Sequence, residues 1–283
     1  MGVKTLLVAV AKDEGPYIRE WAIYHKKICG FTDILVYEND SSDGTREQLE
    51  KLQSEGTCTW KPWPRSEHNP PQQKAYWDSI KNKDQYDWMC ILDVDEFLVL
   101  KGDEGIEDFV SRFDEKAGSI SFNWIIFYST EEKFSNESVI KRVNNCYGDT
   151  HVKTIARTKA IATAAIHTFP LKAGYDYMHC SGARYEIKPG ENLDLSICRG
   201  SSKLFDAQSA RINHYLIKSH EESIRKDERG RASTKIFVKK ETEKQYKYLS
   251  KLEIQRENHS IKKFIETRYG LEKFYEEVTN NRL

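Results

Sequence analysis

Three times before residue 88, a short apolar run gives way to a polar turn and then to a stretch of helical period. Lys4–Ala11 is apolar and rich in Val and Leu. After Pro16, Tyr17, Ile18, Trp21, Ala22, Tyr24, His25 and Ile28 recur near 3.6 residues, and Gly30 is a plausible stop. Ile34–Tyr37 is a second run. Thr45–Ser54 follows as a helix with Leu49 and Leu52 inward. Cys58–Trp63 is a third run, then a loop marked by Pro64, Pro70 and Pro71, then a helical stretch over Gln72–Lys81. A fourth run, Trp88–Leu92, has the length and composition of a buried strand. Strands alternating with helices predict a mostly parallel sheet with right-handed crossovers, hence an α/β fold. In such sheets ligands bind beyond the carboxyl ends of the strands.

The residues at those ends are Asp13-Glu14, Asn39-Asp40 and Asp93-Val94-Asp95-Glu96. Strand alternation would send Asp93 and Asp95 to one side. Two close carboxylates repel unless a positive charge sits between them. A hard divalent cation, completed by phosphate oxygens, would meet that need. The alternatives are a solvated acidic turn or acids capping a helix N-terminus. Ser42, Asp43 and Thr45 read as caps for the helix that begins at Thr45.

Beyond Phe97 the pattern changes. Ser119–Ser129 reads as an aromatic-rich strand, and Lys133–Asp149 as a polar loop. His151–Ala164, Ala165–Leu171 and Ala210–Ile217 read as further strands or strand fragments, with a loop-like stretch over 172–203. An antiparallel extension of the sheet fits these pieces. From Ser219 the chain is charged and helical. Residues 235–273 hold eleven Lys or Arg against six Glu. They read as solvated helices packed through Ile261, Phe264 and Ile265; the competing reading is a basic face resting on anionic lipid head groups.

Lys plus Arg and Asp plus Glu both count 44, which argues against a nucleic-acid partner. The six Cys show neither a Cys-x-x-Cys pair nor a zinc spacing. A reducing compartment and a cytoplasmic location are expected. Thr5–Ala11 is too short for a leader, and no apolar stretch is long enough to span a bilayer. With the basic face, the location would be peripheral on the inner side of the membrane.

The ordered set VAVAKDEGPYIREWAIYHKKICGFTDILVYENDSSDGTREQL, Gln73-Lys74-Ala75-Tyr76, Asp93-Val94-Asp95-Glu96-Phe97, Phe122-Asn123-Trp124 with Phe127, Val152-Lys153-Thr154-Ile155, Ile166-His167 and Asn213-His214-Tyr215 with Lys218-Ser219 resembles nucleotide-sugar glycosyltransferases of the GT-A fold, most closely the family-2 group and a related group once called a domain of unknown function. The likeness covers roughly residues 3–230. The sequence departs in Lys12-Asp13-Glu14, where the group shows Lys-Asn-Glu, and in Tyr128-Ser129-Thr130, where a Gly-rich turn is common. The resemblance implies a GT-A domain over 1–218, with a nucleotide-binding half (1–100) and an acceptor half (101–218), followed by a helical segment over 219–283. It implies a metal-dependent, inverting hexosyltransferase that moves a sugar, UDP-linked in our reading, onto a glycan or lipid-linked glycan of the surface-polysaccharide or lipopolysaccharide type. Asp95 would be the main ligand to Mn2+ or Mg2+, with Asp93 at the ribose or the metal. His214 is the imidazole ligand and His167 its competitor; imidazole favours Mn2+. Asp13, Glu14, Asn39 and Asp40 would line the nucleotide pocket. Lys74, Lys153 and Arg157 could reach the pyrophosphate. Trp124 would stack on a sugar. Asp149, Glu186 and Glu131 are the candidate general bases. The alternatives are a non-catalytic sugar-nucleotide-binding module and an Asp-x-Asp phosphohydrolase. The latter usually carries its pair after the first strand; here it follows the fourth. A dinucleotide oxidoreductase is disfavoured because no Gly-x-Gly-x-x-Gly follows the first strand.

Overall fold

The computed structural model describes residues 2–185, 200–230, 244, 246, 255–256 and 259–279. Its centre is one twisted sheet. The strands are β1 (Thr5–Ala11), β2 (Asp33–Glu38), β3 (Thr59–Pro62), β4 (Trp88–Ile91), β5 (Glu96–Leu100), β6 (Ala117–Tyr128), β7 (Asn145–Arg157), β8 (Asp176–His179), β9 (Ala210–Ile217) and β10 (Gln255–Arg256). The main path runs β3-β2-β1-β4-β7-β6-β9-β5, with β8 on β6 and β10 on β7.

The first half meets the sequence expectation. β3, β2, β1 and β4 are parallel, and the crossovers are α1 (Gly15–Ile23, continued as a π-turned stretch over Tyr24–Cys29), α2 (Thr45–Ser54) and α3 (Pro71–Ser79). Gly30, at φ 82°, ends the first crossover in the left-handed region that glycine tolerates. The antiparallel extension is also present: β7 joins β4 and β6, and β5 joins β9.

Several expectations are corrected. The sheet gains β5 directly after the acidic turn, within a stretch that reads as the end of a strand. After a short helix, α4 (Ile106–Val110), the polar loop over Lys133–Asp149 contains a helical turn, α5 (Val139–Arg142), and the first residues of β7. The strand expected to reach Ala164 stops at Arg157, and Ala165–Leu171 contributes one bridge, Ile161 to Leu171, in place of a strand.

β5 is an edge strand, and α1 covers it. Trp21 Nε1 donates to the Glu96 carbonyl at 2.9 Å and Tyr24 Oη to the Leu98 carbonyl at 2.7 Å, while the Leu98 N–H donates to His25 Nε2 at 3.3 Å. Backbone groups that would otherwise template aggregation are thereby satisfied. Burial holds the His25 imidazole neutral, lowering its pKa to about 3.

The C-terminal helices belong to the same core. α6 (His220–Arg229) follows β9, and α7 (His259–Arg268) and α8 (Leu271–Thr279) bury Ile261, Phe264, Ile265, Phe274 and Val278. Tyr24 meets the rings of both Phe264 and Phe274. Among the described residues no helix is long and apolar enough to cross a membrane.

Candidate active site

β4 leaves the sheet through a tight turn in which the Glu96 N–H donates to the Asp93 carbonyl at 3.0 Å. The turn separates the two aspartates. The antiparallel register that pairs Cys90 with Ile155 carries Lys153 past the end of β4. Its Nζ lies 3.1 Å from Asp93 Oδ2 and 3.4 Å from Glu96 Oε2. Gln72, on α3, donates to Asp93 Oδ1 at 2.8 Å. Lys153 is fully buried; burial opposes its charge, but Asp93 and Glu96 outweigh it and raise its pKa. Glu96 goes the other way from the usual carboxylate, pushed up by burial more than Lys153 lowers it.

Asp95 faces other partners. β5 and β9 set Glu96 opposite His214, so His214 Nε2 lies 3.5 Å from Asp95 Oδ1. From α6, Lys226 Nζ approaches Asp95 Oδ2 at 2.7 Å. The Asp95 side chain is nearly buried, at 7 % exposure. Burial alone would raise its pKa; Lys226, His214 and Lys218 together hold it well below the ordinary carboxylate range.

The same helix reaches the end of β1. Arg229 pairs with Glu14 Oε1 at 2.6 Å and donates to the carbonyls of Lys12 and Asp13. Lys218 is buried with its ammonium 4.4 Å from the centre of the Tyr17 ring. A cleft of about 520 Å3 opens between these parts, lined among others by Asp13, Glu14, Tyr17, Lys218, Lys226 and Arg229.

Asp13 and Asp40 both adopt positive φ, 50° and 52°. Asp13 Oδ1 accepts from the Ser42 N–H at 2.8 Å, and Asp40 Oδ2 from the Arg65 N–H at 2.7 Å. Asn39 is buried, its Nδ2 donating to the Trp63 carbonyl at 2.8 Å. Asp43 accepts from Thr45 ahead of α2, with Gly44 as the cap residue.

On the other flank, Trp124 of β6 is ringed by imidazoles. It stacks on His151 with centroids 5.1 Å apart and meets His214 edge-on at 4.5 Å; His167 lies 5.6 Å away. Asp149 Oδ1 accepts from His151 Nδ1 at 2.5 Å and from its backbone N–H at 2.7 Å.

The remaining sequence candidates lie apart. Lys74 Nζ contacts the Glu67 carbonyl at 3.4 Å. Arg157 stacks on Trp88, at the opposite end of β4 from the aspartates. Glu131 has an exposed side chain, and its carbonyl accepts from the first N–H of α6. Glu186 lies outside the described residues. The expectation that Asp93 and Asp95 share one side is corrected by the turn: Asp93 faces Lys153 and Gln72, and Asp95 faces His214 and Lys226. The sequence reading missed Gln72, His151, Lys226 and Arg229, and gave Lys218 no role although Lys218-Ser219 belongs to the pieces that carry the resemblance. For Lys226 no local signal exists, since its contact with Asp95 spans 131 residues.

The donor chemistry suits a divalent cation at Asp95. A carboxylate oxygen and an imidazole nitrogen stand side by side, and His214 Nδ1 is buried without a hydrogen-bond partner among the described residues. That mixed set favours Mn2+ over Mg2+. Asp93 does not join them directly: the metal-capable group whose ligand atoms lie within 4.8 Å of one another, among the described residues, is His179, Cys180 and Asp206. Those three are already engaged with Asn123, Ala210 and Ser209.

The glycosyltransferase family 92 model matches residues 11–191, more than half of the chain. The chain belongs to glycosyltransferase family 92. The resemblance is met at that level, where the sequence reading leaned to the family-2 group. Family-92 proteins of Oryza sativa subsp. japonica and Arabidopsis thaliana are 28 % identical over 109 residues and 32 % identical over 89 residues. These stretches cover 37 % and 30 % of this chain but only 18 % and 14 % of the two relatives, so the chain spans less than a fifth of their length. The architecture of this family-92 chain is α/β, a mostly parallel first half extended by antiparallel strands. Among solved structures, a mannosyltransferase from Pyrobaculum calidifontis in complex with GDP-Man and Mn2+ aligns with a TM-score of 0.33 at 14 % identity, over 43 % of this chain and 36 % of that one. S. aureus TarS 1-349 in complex with UDP-GlcNAc aligns at 0.35 and 15 %, over 56 % and 46 %. Likenesses this distant carry no argument about donor or metal.

Proposed function

We propose that this family-92 chain transfers a hexose from a nucleotide-sugar donor, UDP-linked in our reading, to a glycan or lipid-linked acceptor in polysaccharide or lipopolysaccharide-type biosynthesis, with Mn2+ (or Mg2+) at Asp95 and His214. One observation carries the reading: a nearly buried carboxylate just beyond the carboxyl end of β4, beside an imidazole and under Lys226, a lysine that itself lines the cleft rimmed by the end of β1. When bound, the cation supplies Lewis-acid neutralisation of the charge that develops on the leaving diphosphate. Lys218, Lys226 and Arg229 add fixed positive charge on the same flank, where it acts without reorganisation. Asp13, Glu14, Asn39 and Asp40 border the nucleotide end. Asp93, oriented by Lys153 and Gln72, faces the ribose or reaches the cation through water. Trp124 offers its face to a sugar.

The test is Asp95→Asn, which keeps shape and removes charge. Nucleoside diphosphate release from a panel of UDP- and GDP-sugars with Mn2+ should fall by more than the roughly 10–100-fold typical of outer-shell changes, with an unaltered circular dichroism spectrum. Undiminished release in that variant would overturn the metal assignment.

A further inference from the structure

β7 is irregular where it passes Trp124. β6 pairs Asn123 with Val152 but Trp124 with Asp149, so Thr150 and His151 bulge out of the ladder. A bulge of this kind re-aims side chains, and bulges concentrate beside active sites. Here it is closed from both sides. Asp149 accepts from the backbone and ring N–H of His151, and the Thr150 carbonyl accepts from the Ser202 N–H at 2.9 Å. The ring of His151 lies flat against Trp124, which His214 meets edge-on. Asp149, His151, Trp124, His214 and Asp95 thus form one contiguous chain of contacts that ends at the candidate metal ligand.

We propose that His151, oriented by Asp149, is the base that deprotonates the acceptor hydroxyl. This rests on the donor-site reading above and names the group that reading leaves open. With Nδ1–H committed to Asp149, Nε2 is the ring nitrogen with a lone pair, on a side chain 45 % exposed. As the acceptor oxygen forms its bond to the anomeric carbon, its proton passes to Nε2. The bond from that carbon to the diphosphate oxygen breaks, and its electron pair leaves with the diphosphate. The imidazolium then returns the proton to solvent. Asp149, itself a sequence candidate for the base, becomes the positioning residue. Among the described residues the titratable groups facing His151 are Asp149 and His167, with His214 beyond Trp124. The hydrogen bond from Asp149 raises the His151 pKa, with partial burial opposing. A base near neutrality is effective. Because only the neutral ring accepts a proton, activity should rise with pH through a limb lying above the ordinary imidazole value.

The experiment uses the full chain with Mn2+ and four probes: UDP-glucose, UDP-galactose, UDP-N-acetylglucosamine and GDP-mannose, with water as acceptor. Binding of UDP and GDP is measured separately by calorimetry. His151→Gln should lower kcat by about 100-fold or more while nucleotide affinity stays within about twofold. Asp149→Asn should move the limb to lower pH, and nitrogen-resolved NMR of the ring should show His151 titrating lower by the same amount, a change that a merely structural staple would not give. His151→Gln retaining wild-type turnover, or a limb that does not move in Asp149→Asn, overturns the base assignment alone. A wild-type chain that binds neither UDP nor GDP overturns the donor-site reading, and the role of His151 with it.

Discussion

Lys153 is the residue on which the acidic turn depends. Its ammonium is fully buried between Asp93 and Glu96, and a buried ion that loses its partner is expensive. Lys153→Met should cost about 3 kcal/mol or more, read from the midpoint of urea unfolding. Adding Glu96→Gln should recover part of that loss, because the two sites are in contact and do not add independently. Asp95 makes a pH statement of its own. Its folded-state pKa is depressed, so the stability it contributes is present above the unfolded value of about 3.9 and is lost as pH falls through the folded one. Urea midpoints between pH 3 and 7 should drop below about pH 4 for the wild type, and less steeply for Asp95→Asn. At this scale the sequence was partly readable. Asp95 was marked by the apolar run that precedes it and His214 by the resemblance, and the structure sets the two side by side. His151 was hidden, since nothing local marks a bulge, and Lys226 and Arg229 were hidden because only tertiary contact gives them a role.

Among the elements, the ends of β1 and β2 and the helix α6 decide the shape of the cleft. Gly15, where α1 begins, has no room for a side chain: a Cβ there would stand 2.6 Å from the Asp43 carbonyl oxygen. Gly15→Ala should therefore push the loops after β1 and β2 apart and destabilise the fold by about 1–3 kcal/mol, with weaker nucleotide binding as a second readout. α6 is held across the cleft by Lys226 and Arg229. Arg229→Ala should lower amide-exchange protection over residues 220–229 and leave α2 unchanged. The parallel half of the sheet was legible because its runs are apolar on both faces and separated by strong turn signals, as Thr5–Ala11 and Trp88–Ile91 illustrate. β5 was obscured because its first residue, Glu96, belongs to the acidic turn. The start of β7 was obscured because Asn145, Gly148 and Asp149 read as loop chemistry, although pairing with β6 overrides that preference.

The whole molecule joins both halves of the expected domain in one sheet and docks the described C-terminal helices onto the face that carries Tyr24. The helical readings over residues 231–243 and 247–254 lie outside the described residues. Family membership and the cleft together make donor binding the central claim, and ligand linkage measures it on the intact chain. A ligand that binds only the folded state stabilises it by about 2.7 kcal/mol at a hundred times its dissociation constant. The decisive measurement is the thermal midpoint of the wild type and of Asp95→Asn, each with UDP or GDP, with and without Mn2+. The expected result is a rise in the wild type that needs both nucleotide and metal and is lost in the variant. Equal rises in the two proteins, or none in the wild type, would contradict a nucleotide and metal site at Asp95.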